Sequence, residues 1–164
     1  MSSIAFIGFR GSGKSTLGKW LAAVVDKEWI DTDVVVLAHL DFSTVEEAWE
    51  SVGEEGWRKA ELLLIPSILE QSAVVSLGGG APMLPDIAQS LAKCHVVFHL
   101  VSNEDVTLQR VSEGKDRPAL EASDVEMLWK RLPEYASLST CTIDTSSAIA
   151  ESKANILEYL DSLA

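Results

Sequence analysis

Lys14, Ser15 and Thr16 close the run Gly8-Phe9-Arg10-Gly11-Ser12-Gly13-Lys14-Ser15-Thr16, a spacing of residue types suited to holding a triphosphate. The run fits G-x-x-x-x-G-K-[ST], in which successive backbone N–H groups converge on phosphate oxygens. Side chains would obstruct that approach, and the glycines at 8, 11 and 13 leave the backbone bare and free to turn. On this reading Gly11, Ser12, Gly13, Lys14, Ser15 and Thr16 line the triphosphate. Lys14 reaches the β- and γ-phosphates and the Ser15 hydroxyl holds Mg²⁺. A helix starting near Lys14 adds the positive end of its dipole. The competing reading is a glycine-rich turn with a solvated lysine. The flanks argue against it: Ile4–Ile7 reads as a buried parallel strand and Leu17–Val25 carries apolar residues at helical spacing.

Three other clusters carry chemistry-bearing side chains. In Asp31-Thr32-Asp33, one carboxylate near Mg²⁺ can order its water ligands. The other can orient, or take a proton from, an acceptor hydroxyl. A helix cap followed by a solvated acid explains the same residues. Gly78-Gly79-Gly80 costs folding entropy, which favours a backbone lying against a ligand over a mere turn. Gly114-Lys115-Asp116-Arg117-Pro118 interrupts a helical region and reads either as a basic lid over the phosphates or as an ordinary loop. Arg58, on a helix after Gly53-Glu54-Glu55-Gly56-Trp57, is by pattern alone a solvated charge.

The elements that must position these residues alternate. Strands are expected at Ile4–Ile7, Trp29–Asp31, Val74–Leu77, Val96–Leu100 and Thr140–Ile143. Beyond the helix that follows the glycine loop, helices are expected over 44–51, 54–71, 84–92, 103–112, 124–138 and 147–162. Asn103-Glu104-Asp105 and Ser123-Asp124 read as N-terminal caps. Such alternation gives an α/β fold: a five-stranded parallel sheet between two layers of helices, in a single domain. Ligands in these sheets bind beyond the carboxyl ends of the strands. Three strand ends here carry unusual residues, namely the glycine loop, Asp31 with Asp33, and the triple glycine.

Composition narrows the function classes. With 25 acidic against 13 basic side chains, the net charge of −12 speaks against nucleic-acid binding and against adhesion to an anionic membrane. No signal-peptide order and no membrane-length apolar run is present, so a soluble cytoplasmic protein is expected. Cys94 and Cys141 form no disulfide framework or metal spacing with His39, His95 or His99, and read as buried, reduced thiols. His95 and His99 read as structural or exposed rather than catalytic.

Taken together, the glycine loop, Asp31-Thr32-Asp33, Gly53-Glu54 with Trp57-Arg58 and Glu61, Gly78-Gly79-Gly80, Arg117-Pro118, and Arg131-Leu132-Pro133-Glu134-Tyr135 resemble shikimate kinase, in order and over nearly the whole chain. The resemblance implies a nucleoside monophosphate kinase type of fold and transfer of the γ-phosphate of ATP to the 3-hydroxyl of shikimate, on the way to chorismate and the aromatic amino acids. It implies that Asp33 holds ring hydroxyls and serves as a base, and that Arg58 and Arg131 clamp the substrate carboxylate. The backbone of Gly78, Gly79 and Gly80 would lie against the ring. Arg117 would reach the phosphates from a lid at about 112–123, Arg110 would lie along the adenine, and Asp31 would act through Mg²⁺-bound water. Lys14, Asp33 and Arg117 would thus carry catalysis, in a chain that needs no second copy.

The chain departs from the family's usual pattern at a few positions. Arg10 adds a charge at the lip of the glycine loop, and Trp57 stands where Phe is commoner. The lid reads Arg-Pro-Ala-Leu, and Val34–His39 lacks the usual Ile-Glu pair. A gluconate-type small-molecule kinase and a nucleotide-binding regulator without catalysis are the alternatives.

Overall fold

Short runs rich in β-branched and aromatic residues build the sheet. The computed structural model describes residues 2–103, Thr107 and 122–164, with side chains from residue 125 onward in the last stretch. Strands β1 (Ile4–Ile7), β2 (Glu28–Asp31), β3 (Ala73–Ser76), β4 (Val96–Val101) and β5 (Cys141–Asp144) pair in parallel in the order β2-β3-β1-β4-β5. Among the described residues the helices are α1 (Lys14–Val24), α2 (Thr32–Leu40), α3 (Val45–Leu69), α4 (Pro85–Leu91), α5 (Ala122–Leu138) and α6 (Ile149–Ser162).

The period-2 alternation of the strands divides the core into two faces. Ile4, Phe6, Val74, Val96, Phe98 and Leu100 pack against Leu17 and Leu21 of α1 and Ile156 of α6. Ala5, Ile7, Val75 and Val97 face the other way, onto Ile65 and Leu69 of α3, Leu91 of α4 and Tyr135 of α5. The result is the expected three-layer α/β/α arrangement. The three central strands are buried nearly end to end, whereas β2 and β5 at the edges are only partly buried. Two covered faces favour apolar residues, which explains their nearly continuous apolar runs, Ser76 and His99 apart. Each large side chain so buried contributes roughly 1.5–3 kcal/mol.

The strands lie within a residue of where the sequence puts them, and two helical regions differ. Helix α2 is an addition: Asp31 accepts hydrogen bonds from the N–H groups of Asp33 and Val34 and so caps it. The expected helices over 44–51 and 54–71 run together as α3, with a kink at Gly53 (φ 69°, ψ 179°). That conformation is open to glycine and strained for other residues. A small cluster of Val36, Ala48, Trp57 and Ala60 joins α2 to α3. Ser123 and Asp124 are already helical, so neither stands outside α5 as its cap. The expected helix over 103–112, apart from Asn103 and Thr107, and the lid up to residue 121 lie outside the described residues. Cys94 and Cys141 are free thiols but only partly buried, which corrects the expectation of full burial. Among the described residues no helix is long and apolar enough to cross a membrane.

Candidate active site

The chain leaves β1 where its two neighbours, β3 and β4, are reached by crossovers in opposite directions, the crevice in which open parallel sheets bind ligands. The turn there needs its glycines. Gly8 has φ 148°, and a Cβ on it would lie 2.6 Å from the Leu100 carbonyl oxygen. Gly13, at φ 102°, is the left-handed residue from which α1 starts. Lys14 is buried, and its Nζ donates to the carbonyls of Gly8 (2.7 Å) and Phe9 (3.0 Å). The cation is thus folded onto the loop that it closes. Thr145, just past β5, donates to the Ser12 carbonyl at 2.8 Å and ties the loop to the far side of the sheet. The Ser12 hydroxyl is buried without a hydrogen-bond partner among the described residues. Leaving such a group unpaired costs about 1–3 kcal/mol, which a bound oxyanion would relieve.

Ser15 Oγ donates to Asp31 Oδ2 at 2.9 Å, while Asp31 Oδ1 caps α2. Asp31 is thus a helix cap through one oxygen, while its other oxygen faces the glycine loop. Adjacent hard oxygens of this kind fit Mg²⁺ that keeps most of its own water. Among the described residues there is no group of three or more His, Cys, Asp or Glu that would make a dedicated metal cage.

Beside the loop lies a second set of groups, drawn from four elements. Thr32 Oγ1 accepts from Gly78 N–H at 2.9 Å, holding the triple glycine to the start of α2. A Cβ on Gly78 would come within 2.3 Å of Asp33 Oδ1, and one on Gly80 within 2.2 Å of Arg58 Nη2. A Cβ on Gly79 would lie 3.4 Å from Arg131 Nη1 and 3.6 Å from Tyr135 Oη. Asp33, Arg58 and Arg131 thus converge on Gly78–Gly80, and the missing side chains make room for them. Arg58 is held by Glu61 (2.5 Å) and Glu54 (3.7 Å), with its guanidinium 5.6 Å from the Trp49 ring centre. Burial raises the Glu61 carboxyl above the usual range, against the opposing pull of Arg58. Tyr135 donates to the Gly79 carbonyl, and burial pushes its phenol up. The buried imidazole of His99 lies 5.2 Å from the Tyr135 ring. Burial first, and the Lys14 charge second, lower its pKa to about 4. It is therefore a neutral core group, whereas His95 is exposed.

Two sets of predicted residues are thus assembled: Gly11 to Thr16 with Asp31, and Asp33 with Arg58, Gly78–Gly80 and Arg131. Arg110 and Arg117 lie outside the described residues. Sequence reasoning gave no role to Thr32, Ser76 or Thr145. Thr32 lies inside the aspartate motif and Ser76 two residues before the triple glycine, whereas Thr145, just past β5, lies near no motif.

Comparison with known proteins shows the family and the fold. The profile of the shikimate kinase family matches residues 10–161. A shikimate kinase of Caldanaerobacter subterraneus subsp. tengcongensis is 35% identical over 157 residues, covering 92% of this chain and 91% of its own. That of Caldicellulosiruptor bescii is 32% identical over 141 residues, 82% of this chain and 81% of its own. Among solved structures, shikimate kinase from Acinetobacter baumannii in complex with shikimate superposes with a TM-score of 0.87 at 26% identity, over 99% of this chain and 93% of that one. A gluconokinase from Sinorhizobium meliloti matches with a TM-score of 0.64 at 20% identity, over 99% of this chain and 93% of that one, a likeness of fold alone. From its motifs, its fold and these relatives, the chain belongs to the shikimate kinase family.

Proposed function

We propose that this protein transfers the γ-phosphate of ATP to the 3-hydroxyl of shikimate. The observation that carries the reading is the convergence of Arg58, Arg131 and Asp33 on Gly78–Gly80 beside the glycine loop. Two planar guanidinium groups suit a carboxylate, and a carboxylate suits a ring hydroxyl. A cyclic hydroxy acid presents both. Lys14 exchanges the Gly8 and Phe9 carbonyls for the β- and γ-phosphates, and the N–H groups of Gly11–Thr16 receive the remaining oxygens. Arg58 and Arg131 fix the substrate carboxylate, and the bare backbone of Gly78–Gly80 admits the ring. Asp33 orients the acceptor hydroxyl and takes its proton as the oxygen bonds to the γ-phosphorus, the bond from that phosphorus to the β,γ-bridging oxygen breaks, and ADP leaves. Most of the rate then comes from alignment and from charge neutralisation. Ser15, and Asp31 through water, would hold Mg²⁺, which would supply positive charge at the phosphates. Arg117 and Arg110, by family resemblance, serve the phosphates and the adenine. The proposal is for one cytoplasmic chain of a single domain, with small-molecule partners only and no nucleic acid or membrane.

ADP release from Mg·ATP, with shikimate, gluconate and nucleoside monophosphates offered separately, tests the reading. Turnover is expected with shikimate alone. Turnover with gluconate or a nucleotide would overturn the acceptor assignment and keep the phosphate site, and ATP binding without any turnover would mark a regulator.

A further inference from the structure

Gly18 sits in the interior of α1, where glycine weakens a helix relative to alanine. The reason is local. A Cβ on Gly18 would lie 2.3 Å from Ser76 Oγ and 3.0 Å from Trp29 Nε1. Through that gap runs a directed chain of hydrogen bonds. The Trp29 indole N–H on β2 donates to Ser76 Oγ on β3 at 3.1 Å, and Ser76 Oγ donates to the Lys14 carbonyl oxygen at 2.7 Å. Ser76 is buried, so water does not compete for its hydroxyl. The indole is a donor only, which leaves the Ser76 hydroxyl free to act as donor toward Lys14.

The position of this chain matters more than its energy. Lys14 opens the first turn of α1, Trp29 stands two residues before Asp31, and Ser76 pairs in register with Asp31 and lies two residues before Gly78. Ser15 reaches Asp31 from the same turn of α1. The glycine loop, the aspartate turn and the triple-glycine loop therefore share one mechanical junction. We propose that Ser76 and Trp29 are positioning residues that fix the backbone of Lys14, and with it the phosphate-facing end of α1, relative to the acceptor loops.

The inference rests on the kinase reading above, and one of its readouts needs only nucleotide. In a ¹⁵N-labelled protein, the Trp29 indole resonance (assigned by its loss in Trp29→Phe) is expected to shift on adding Mg·ATP without shikimate. In Ser76→Ala it should sit elsewhere and no longer respond. In turnover, Ser76→Ala is expected to lower kcat about 10-fold, the order of one lost hydrogen bond, with the KM for shikimate within about 2-fold. Trp29→Phe is expected to cost about 3-fold, and the double variant no more than Ser76→Ala alone, because both act through one carbonyl. A purely structural role would lower the melting temperature, leave kcat intact and give an indole blind to nucleotide, which would overturn the proposal. Should Ser76→Ala fail to fold, Trp29→Phe decides. Loss of kcat at constant shikimate KM supports the relay, and unchanged kcat refutes it. If the acceptor is not shikimate, the indole response to Mg·ATP still stands or falls on its own.

Discussion

The phosphate side and the acceptor side of the site are built in different ways. The glycine loop grows out of the middle of the sheet, with Lys14 buried and its flanking turns tied down by Thr145 and Ser76. Behind it stands the larger core of β1, β3, β4, α1 and α6. The acceptor side draws on α2 and the kinked α3, joined through the small cluster of Val36, Ala48, Trp57 and Ala60. Only the far end of α3, at Ile65 and Leu69, reaches the core under the sheet. On the acceptor side Arg58 is held by the carboxylates of Glu61 and Glu54, and the Gly78 backbone by the Thr32 hydroxyl. The difference teaches where rigidity is placed. Phosphoryl transfer needs the nucleotide held to a fixed frame, and a small core with a glycine kink leaves the acceptor wall the cheaper part to move.

Substitutions can break or sharpen that contrast. Lys14→Ala strikes the fixed side and is expected to lower kcat about 100- to 1,000-fold, since charge stabilisation at the transferring group is lost. Steady-state kinetics on folded protein check it, and near-normal kcat would remove the loop from catalysis. Arg58→Ala strikes the acceptor side and is expected to weaken shikimate binding by about 2 kcal/mol, with ATP affinity unchanged. That figure is the lower end of the roughly 2–5 kcal/mol for truncating a buried, paired charge, because the Arg58 side chain is already 17% exposed. Titration calorimetry with each substrate separates the two sides.

His99 tests the frame through pH. Its pKa is about 4 in the fold and near 6.5 when the chain is unfolded. Between those values the unfolded chain binds the proton and the folded one does not, so stability falls as pH drops from 6.5 toward 4. From pH 7 to pH 5 this group alone should cost about 2 kcal/mol. Urea unfolding of wild type and His99→Gln at both pH values should show that difference narrowing in the variant. Parallel profiles would mean that His99 is already protonated in the fold. The smallest effect is expected at the kink. Gly53→Ala meets no atoms within 4 Å, so its cost is backbone strain alone, about 1–2 kcal/mol. The KM for shikimate should rise with little change in that for ATP.

The two sides also differ in how much of them the sequence reveals. The phosphate loop is local: nine consecutive residues state its chemistry, and the strand and helix around it follow from an apolar run and a helical period. The five strands were equally plain, because covered parallel strands are short apolar runs. Helix α2 was not, since Val34-Val35-Val36 is a β-branched run that disfavours helix by itself. The Asp31 cap and packing against α3 override that preference. Arg58 and Arg131 look like surface charge until the fold brings both to Gly79 and Gly80, and only resemblance to a family singled them out beforehand. Thr145 acts on Ser12 from 133 residues away, a distance over which sequence pattern carries no signal. The kink at Gly53 lay hidden between two helices that were each expected, because a glycine between helices does not announce its angle.

The central claim is a particular bond, phosphate on the 3-hydroxyl of shikimate. The direct measurement is ³¹P NMR of wild-type protein with ATP, Mg²⁺ and shikimate, followed to completion. The account predicts one new phosphomonoester resonance coupled to the proton on C3, growing in step with ADP. Free phosphate with ADP, or an ester on another hydroxyl, would contradict it.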